Sequence, residues 1–375
     1  MHELNSLDIE LSPEQTLALG FIKDWYENAR VPGCPNIFRL GGYAGTGKTT
    51  MIRHILRDKT FRSVAVCAFT GKAADVLNRK GVGASTIHSL IYYVEVNELT
   101  HEVTFNLKEH LDYDLIIVDE ASMVSTEIYQ HLCGFGIPLL FIGDPGQLEP
   151  VGENPNLMRD PNYTLIQIHR QALESPIIAF ATAVRQGGAG YQPNRFGSKE
   201  PDLIFQNKLL KGELLQSANQ IICARNKTRQ QINQRVRANL GFSMQDGLHE
   251  GEKLICLRNN KEAGVFNGQL MWVEGIVSES ARSYTIAARI DGYNFTREIE
   301  LWADPFYRPI EDKEHISKRL VYADFGYCIT AHKSQGSEWD HVLVIDEWMP
   351  PKIWDMARWR YTAITRAAKK LNYAI

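Results

Sequence analysis

The sequence predicts an α/β chain built on doubly wound parallel sheets, and three observations predict it. From residue 36 to residue 145, short apolar runs alternate with stretches of helical periodicity, the pattern of parallel strands joined by crossover helices. A second block of the same character follows. Between Gly275 and Arg319 the chain turns to short β segments, which marks a small β insertion.

Each element has a local cause. Ser12-Pro13-Glu14-Gln15 offers an N-cap, an N1 proline and a first-turn acid, so a helix is expected from there to about Ala29. Asn36–Leu40, Ser63–Phe69, Leu115–Val118 and Pro138–Ile142 read as buried parallel strands, because their apolar runs are continuous rather than alternating. Thr49–Leu56 and Val124–Leu132 read as helices between them. The stretch Ile91–Leu107 breaks the pattern: Val94, Val96, Val103 and Phe105 alternate around a polar Asn97–Glu102 centre, which predicts a β-hairpin. In the second block Ser175–Gly187 is expected to be helical, Gln220–Ala224 a strand, Asn226–Leu240 a helix and His341–Ile345 a strand. Residues 187–202, rich in glycine, proline and polar side chains, read as a loop. The expected division is 1–160 for a first domain with a hairpin at about 91–111, 161–274 with 320–375 for a second, and 275–319 for the insertion.

Composition narrows the function classes. A chain of 375 residues has room for two or three domains, and 44% hydrophobic residues exclude a disordered chain. Lys+Arg 41 against Asp+Glu 44 gives a net charge of -3, which excludes a polycation that wraps nucleic acid by bulk charge. A narrow basic groove on a near-neutral surface remains compatible with it. No apolar run approaches the ~20 residues of a membrane helix, and the first residues lack the basic and apolar regions of a signal peptide. A soluble, cytoplasmic protein is expected. The six cysteines are scattered without a C-x-x-C pair, which argues against a zinc site or a disulfide framework.

Gly42-Tyr43-Ala44-Gly45-Thr46-Gly47-Lys48-Thr49 matches G-x-x-x-x-G-K-[ST] between a predicted strand and a predicted helix, the context of a P-loop. Its glycines let backbone N–H groups curl round phosphates, with Lys48 against the β/γ-phosphates and the Thr49 hydroxyl on Mg²⁺. Leu115–Val118 runs into Asp119-Glu120, which places one carboxylate for the metal and a second to orient the attacking water. Phe141-Ile142-Gly143-Asp144-Pro145-Gly146-Gln147 is another strand entering a polar turn. There Gln147 could sense a γ-phosphate, or the segment could be a plain Asp-Pro-Gly turn.

In their order along the chain these segments resemble the superfamily 1B DNA helicases of the RecD/Dda type. Gln15 resembles the adenine-reading Q motif, Gly42–Thr49 motif I, and Ala68-Phe69-Thr70-Gly71-Lys72-Ala73-Ala74 motif Ia, followed by Ser85-Thr86-Ile87-His88-Ser89-Leu90. Asp119-Glu120 is similar to motif II, Gly143–Gln147 to motif III, and His169-Arg170-Gln171 falls at motif IV. Ile329–Glu338 is similar to motif V and Tyr361–Ala367 to motif VI. The resemblance implies two RecA-like P-loop NTPase domains, the first with the hairpin and the second with a small SH3-like β insertion. It implies an ATP- and Mg²⁺-dependent helicase, working 5′→3′ on single-stranded DNA and ss/ds junctions as a monomer, with replication or recombination proteins as further partners.

By the same resemblance Gln15, Gly42, Gly45, Thr46, Gly47, Lys48, Thr49, Thr50, Gly336 and Glu338 would hold the nucleotide. Thr49 and Asp119 would hold the metal. Lys48, Glu120, Gln147, Arg170 and Arg366 would carry the chemistry, the two arginines reaching across from the second block. Thr70, Lys72, Thr86, His88, Thr330, His332 and Lys333 would face DNA, with His88 and His332 equally readable as structural histidines. Phe105 would sit on the hairpin, either as a wedge against the first separated base or as packing. The tryptophans between Trp339 and Trp359 read as core, Trp339 excepted. An accessory DNA-stimulated ATPase subunit and a small-molecule P-loop kinase are the alternative readings. Only a free-standing helicase needs the hairpin, and only the kinase would ignore DNA.

Overall fold

In a computed structural model of the chain, the described residues are 10–29, 36–96, 103–149, 154–169, 172, 174–187, 202–207, 210–260, 262–291, 295–308, 319–350 and 354–375. The chain forms two compact units. One comprises Met1–Phe69, Ala73–Ile91 and Lys108–Ile178, the other Thr70–Lys72, Tyr92–Leu107 and Ala179–Ile375.

The first unit is a six-stranded parallel sheet. Its strands are β1 (Ile37–Gly42), β2 (Val64–Ala68), β3 (Ala84–Thr86), β6 (Leu115–Asp119), β7 (Leu139–Gly143) and β8 (Tyr163–Leu165), in the order β3-β2-β6-β7-β1-β8. Leu115–Val118 and Leu139–Ile142 are buried throughout, as strands covered on both faces must be. The helix Pro13–Asn28 starts where expected. Ser12 and Gln15 form a reciprocal capping box, and Ala18 and Ile22 enter the core with Phe38, Leu40, Met51 and Ile55.

The second unit holds three sheets. The hairpin is β4 (Tyr92–Val96) paired with β5 (Val103–Leu107), as the alternation implied, while its centre at 97–102 lies outside the described residues. A parallel sheet is formed by β9 (Leu203–Gln206), β10 (Gln220–Cys223), β16 (Cys328–Thr330), β17 (Trp339–Ile345) and β18 (Ala367–Ala374), ordered β16-β10-β17-β18-β9. An antiparallel sheet is formed by β11 (Lys253–Cys256), β12 (Leu270–Glu279), β13 (Ser283–Ile290), β14 (Thr296–Trp302) and β15 (Ala323–Phe325), ordered β14-β13-β12-β11-β15.

Three expected assignments move, the first being the hairpin, which clusters with the second unit and not with the first. β8 pairs with β1, so the first unit runs past residue 160 to Ile178. The insertion is larger than 275–319, because its sheet recruits β11 and β15 on either side. Both are short and carry a charged residue, Lys253 in β11 and Asp324 in β15, so neither stands out as a strand from its apolar pattern. Arg237 and Glu252, each with 1% of its side chain exposed, pair at 2.7 Å where the helix Asn226–Asn239 meets this sheet. The Arg237 guanidinium also lies 4.1 Å from the Phe325 ring centroid. Most of the expected loop at 187–202 lies outside the described residues. Among the described residues no helix is long and apolar enough to cross a membrane.

Candidate nucleotide site and nucleic-acid interface

The P-loop leaves the end of β1 and enters the helix Lys48–Arg57 through Gly47, whose φ of 81° lies in the left-handed region that favours glycine. Lys48 Nζ donates to the carbonyls of Gly42 (2.7 Å) and Tyr43 (3.3 Å), and Thr46 Oγ1 donates to Tyr43 O at 2.8 Å. The ammonium therefore stands inside the loop. A Cβ at Gly42 would come within 2.9 Å of both Lys48 Cγ and Thr46 Oγ1, so the backbone closes on these side chains. Thr49 and Thr50 occupy the first turn of the helix, half-buried.

Strand order brings the remaining chemistry to the same edge, because β7 lies between β1 and β6. Ligands of open parallel sheets collect at such carboxyl ends. Asp119 ends β6, and Glu120 follows in the left-handed region at φ 52°, a strained setting for a non-glycine residue. Asp119 Oδ1, Glu120 Oε2 and Gln147 Oε1 are buried and accept no hydrogen bond from the protein. Burial, and after it the Glu120 carboxylate, push the Asp119 carboxyl up to about 6, with Lys48 pulling the other way. Unpaired buried acceptors on a reluctant anion fit a divalent cation shared with phosphates and water. No group of three or more His, Cys, Asp and Glu that could hold a metal ion occurs among the described residues. The Asp144 carboxylate accepts the Gly146 N–H at 2.8 Å and shapes the turn that carries Gln147.

Gln15 is 1% exposed and already engaged. Its Oε1 accepts the Ser12 N–H at 3.0 Å, and its Nε2 donates to Thr46 O at 3.1 Å. One amide hydrogen and one lone pair are left for a base. Thr86 Oγ1 bonds Ser89 Oγ and accepts the Ser89 N–H, which commits it to the start of the helix Ile87–Ile91, while His88 lies edge-on to Phe69. Arg170 lies outside the described residues. The described residues on either side, His169 and Ala172, pack on the P-loop.

In the second unit Arg366 is 5% exposed. Its guanidinium donates to Thr362 O (3.0 Å), Ser337 O (3.1 Å) and Thr365 Oγ1 (3.2 Å), which ties motif VI to motif V. Gly336 has φ 68°, and its carbonyl accepts from Thr70 Oγ1 at 3.2 Å, while the Lys72 ammonium sits 3.7 Å from the Trp339 ring centroid. Glu338 is half-buried two residues on. Thr330 precedes the helix Ala331–Ser334, His332 meets Trp354 edge-on, and Lys333 Nζ bonds Asn267 Oδ1. Burial lowers His332, and it brings Lys333 down to about 8. The Phe105 ring lies near those of Tyr92, at 6.0 Å, and Phe266, at 5.8 Å between centroids.

Some residues escaped the sequence. Glu14 accepts the Ile166 and Gln167 N–H groups, each at 2.9 Å, and His169 Nε2 meets Thr46 O at 3.2 Å. Their signal was present, a first-turn acid and a histidine beside a motif arginine, but no local pattern says that residues 152 positions apart in sequence meet. Trp348 is 71% exposed instead of packed in a core.

Fold and site together define a P-loop NTPase of two RecA-like units. The family model described as an AAA domain matches residues 35–197, and that of the UvrD-like helicase C-terminal domain matches residues 325–373. The ATP-dependent RecD2 DNA helicase of Deinococcus radiodurans is 30% identical over 353 residues, covering 88% of this chain and 45% of that protein. The ATP-dependent DNA helicase dda of Enterobacteria phage T4 is 33% identical over 174 residues, 40% of this chain and 38% of its own. The chain thus spans less than half the length of these relatives. A Pif1 helicase from Bacteroides, solved with ADP-AlF3 and ssDNA, shares the fold at a TM-score of 0.51 and 20% identity over 98% of this chain and 93% of that one. The chain belongs to the superfamily 1B helicases of the RecD/Pif1/Dda type.

Proposed function

We propose that the chain is an ATP-dependent DNA helicase that translocates 5′→3′ on single-stranded DNA and opens ss/ds junctions as a monomer. The observation that carries this is the set of unpaired buried acceptors, Asp119 Oδ1, Glu120 Oε2 and Gln147 Oε1, on strands beside a P-loop that holds Lys48. Two of the relatives are named ATP-dependent DNA helicases, which supports the choice of DNA. Thr49 and Asp119 would hold Mg²⁺, which when bound supplies positive charge to the phosphate oxygens. Glu120 orients the attacking water and takes its proton, while Lys48, Arg170 and Arg366 take up charge developing on the γ-phosphate. Gln147 reads the γ-phosphate through one hydrogen bond. The nucleotide is cradled by Gln15, Gly42, Gly45, Thr46, Gly47, Thr50, Gly336 and Glu338. Thr70, Lys72, Thr86, His88, Thr330, His332 and Lys333 hold the strand, with Phe105 at the base of the hairpin.

The test compares duplexes carrying only a 5′ tail or only a 3′ tail. Unwinding confined to the 5′-tailed substrate, with turnover raised by single strands, is the expected outcome. Unwinding from the 3′ tail would reverse the polarity, and DNA-indifferent turnover would favour a small-molecule kinase.

A further inference from the structure

We propose that His169 and Glu14 are positioning residues that set the shape of the P-loop, and with it the affinity for ATP; this rests on the nucleotide-binding part of the function proposed above. Three contacts converge on the loop apex, and two more hold the chain that delivers them. Gln15 Nε2 (3.1 Å) and His169 Nε2 (3.2 Å) both reach the Thr46 carbonyl oxygen. The His169 backbone N–H donates to Gly45 O at 3.1 Å. The Ile166 and Gln167 N–H groups, just ahead of this histidine, are held by the two oxygens of the Glu14 carboxylate.

A carbonyl accepts and cannot donate, so in this bond the Nε2–H of His169 is the donor. The consequence for the loop follows from peptide geometry. In a trans peptide the C=O of one residue and the N–H of the next point in opposite directions. Two donors that draw the Thr46 carbonyl outward therefore turn the Gly47 N–H the other way, the direction in which P-loop amides meet phosphate. The packing is as tight as the bonding. A Cβ on Gly47 would overlap the Gln15 amide nitrogen and stand 3.0 Å from His169 Nε2, and one on Gly45 would stand 2.7 Å from Ala172 Cβ and 3.1 Å from Ile168 Cγ2. Glu14 acts one step removed, because it ties the chain that delivers His169 to the first turn that delivers Gln15. The contacts of both residues are with the backbone of the loop and of the chain beside it.

The test measures KM for ATP and kcat with and without a saturating single-stranded oligonucleotide, together with the affinity of each variant for that oligonucleotide in the absence of nucleotide. His169→Ala is expected to raise KM about tenfold while kcat falls less than threefold. His169→Gln, which puts an amide N–H within reach of the same carbonyl, is expected to recover most of the loss. Glu14→Ala, which keeps the imidazole, is expected to raise KM about threefold, and oligonucleotide affinity is expected to stay at the wild-type value. An unchanged KM in His169→Ala, or a His169→Gln variant as impaired as the alanine, overturns the proposal. If His169→Ala does not fold, the KM values of the other two variants decide. Wild-type turnover that ignores DNA would sink the helicase function but leave the KM comparison intact, so the two failures are told apart.

Discussion

Asp119 carries the most legible cost in the molecule. Its carboxyl titrates near 6 in the fold against an ordinary 3.8, so folding becomes less favourable as pH rises. The penalty is absent below about 3.8, grows up to about 6, and is complete above that. Asp119→Asn removes it. In Mg²⁺-free buffer this variant is expected to melt a few degrees above the wild type at pH 7.5 and close to it at pH 4, while hydrolysing no ATP. A lower melting temperature at pH 7.5 would show that the carboxylate is structural. Glu120 adds a second cost, since its left-handed backbone places strain on the residue assigned to the water. Arg366 is held by three acceptors from motifs V and VI. Arg366→Ala is expected to keep nucleotide affinity yet lower kcat by ~10³-fold, as loss of an arginine finger does. A normal kcat would remove it from the reaction. The sequence revealed the identity of these groups because phosphate chemistry demands particular residues at particular spacing. It was silent on Glu14 and His169, whose roles exist only through contacts between distant segments.

At the scale of elements, legibility followed apolar pattern. β6 and β7 were plain because every residue from Leu115 to Val118 and from Leu139 to Ile142 is apolar and buried. β18 was missed because Lys369 and Lys370 interrupt its first half, and β3 because Ala-Ser-Thr carries no pattern at all. The insertion was read too short for a related reason: β11 and β15 are only a few residues long and carry Lys253 and Asp324. What fastens that insertion is the Arg237–Glu252 pair. Arg237→Ala leaves Glu252 buried without its counter-charge and is expected to cost ~3–5 kcal/mol in denaturant unfolding. A loss under about 1 kcal/mol would mean that water reaches the carboxylate. The hairpin offers a separation of roles. Phe105 touches Tyr92 and Phe266, so Phe105→Ala that lowers unwinding more than ATPase supports the wedge, and equal losses support packing.

For the whole molecule, a net charge of -3 leaves little bulk attraction for a polyanion, so the proposed strand binding would have to come from a few placed groups and from stacking. Two RecA-like units, one with a P-loop and the other with motifs V and VI, suit a motor in which hydrolysis and grip depend on each other. The most direct test is the steady-state rate of ATP hydrolysis at saturating Mg-ATP, with and without a saturating single-stranded oligonucleotide. An increase of tenfold or more is the predicted result. A rate that does not change when the strand is added would contradict any coupling between fuel and track.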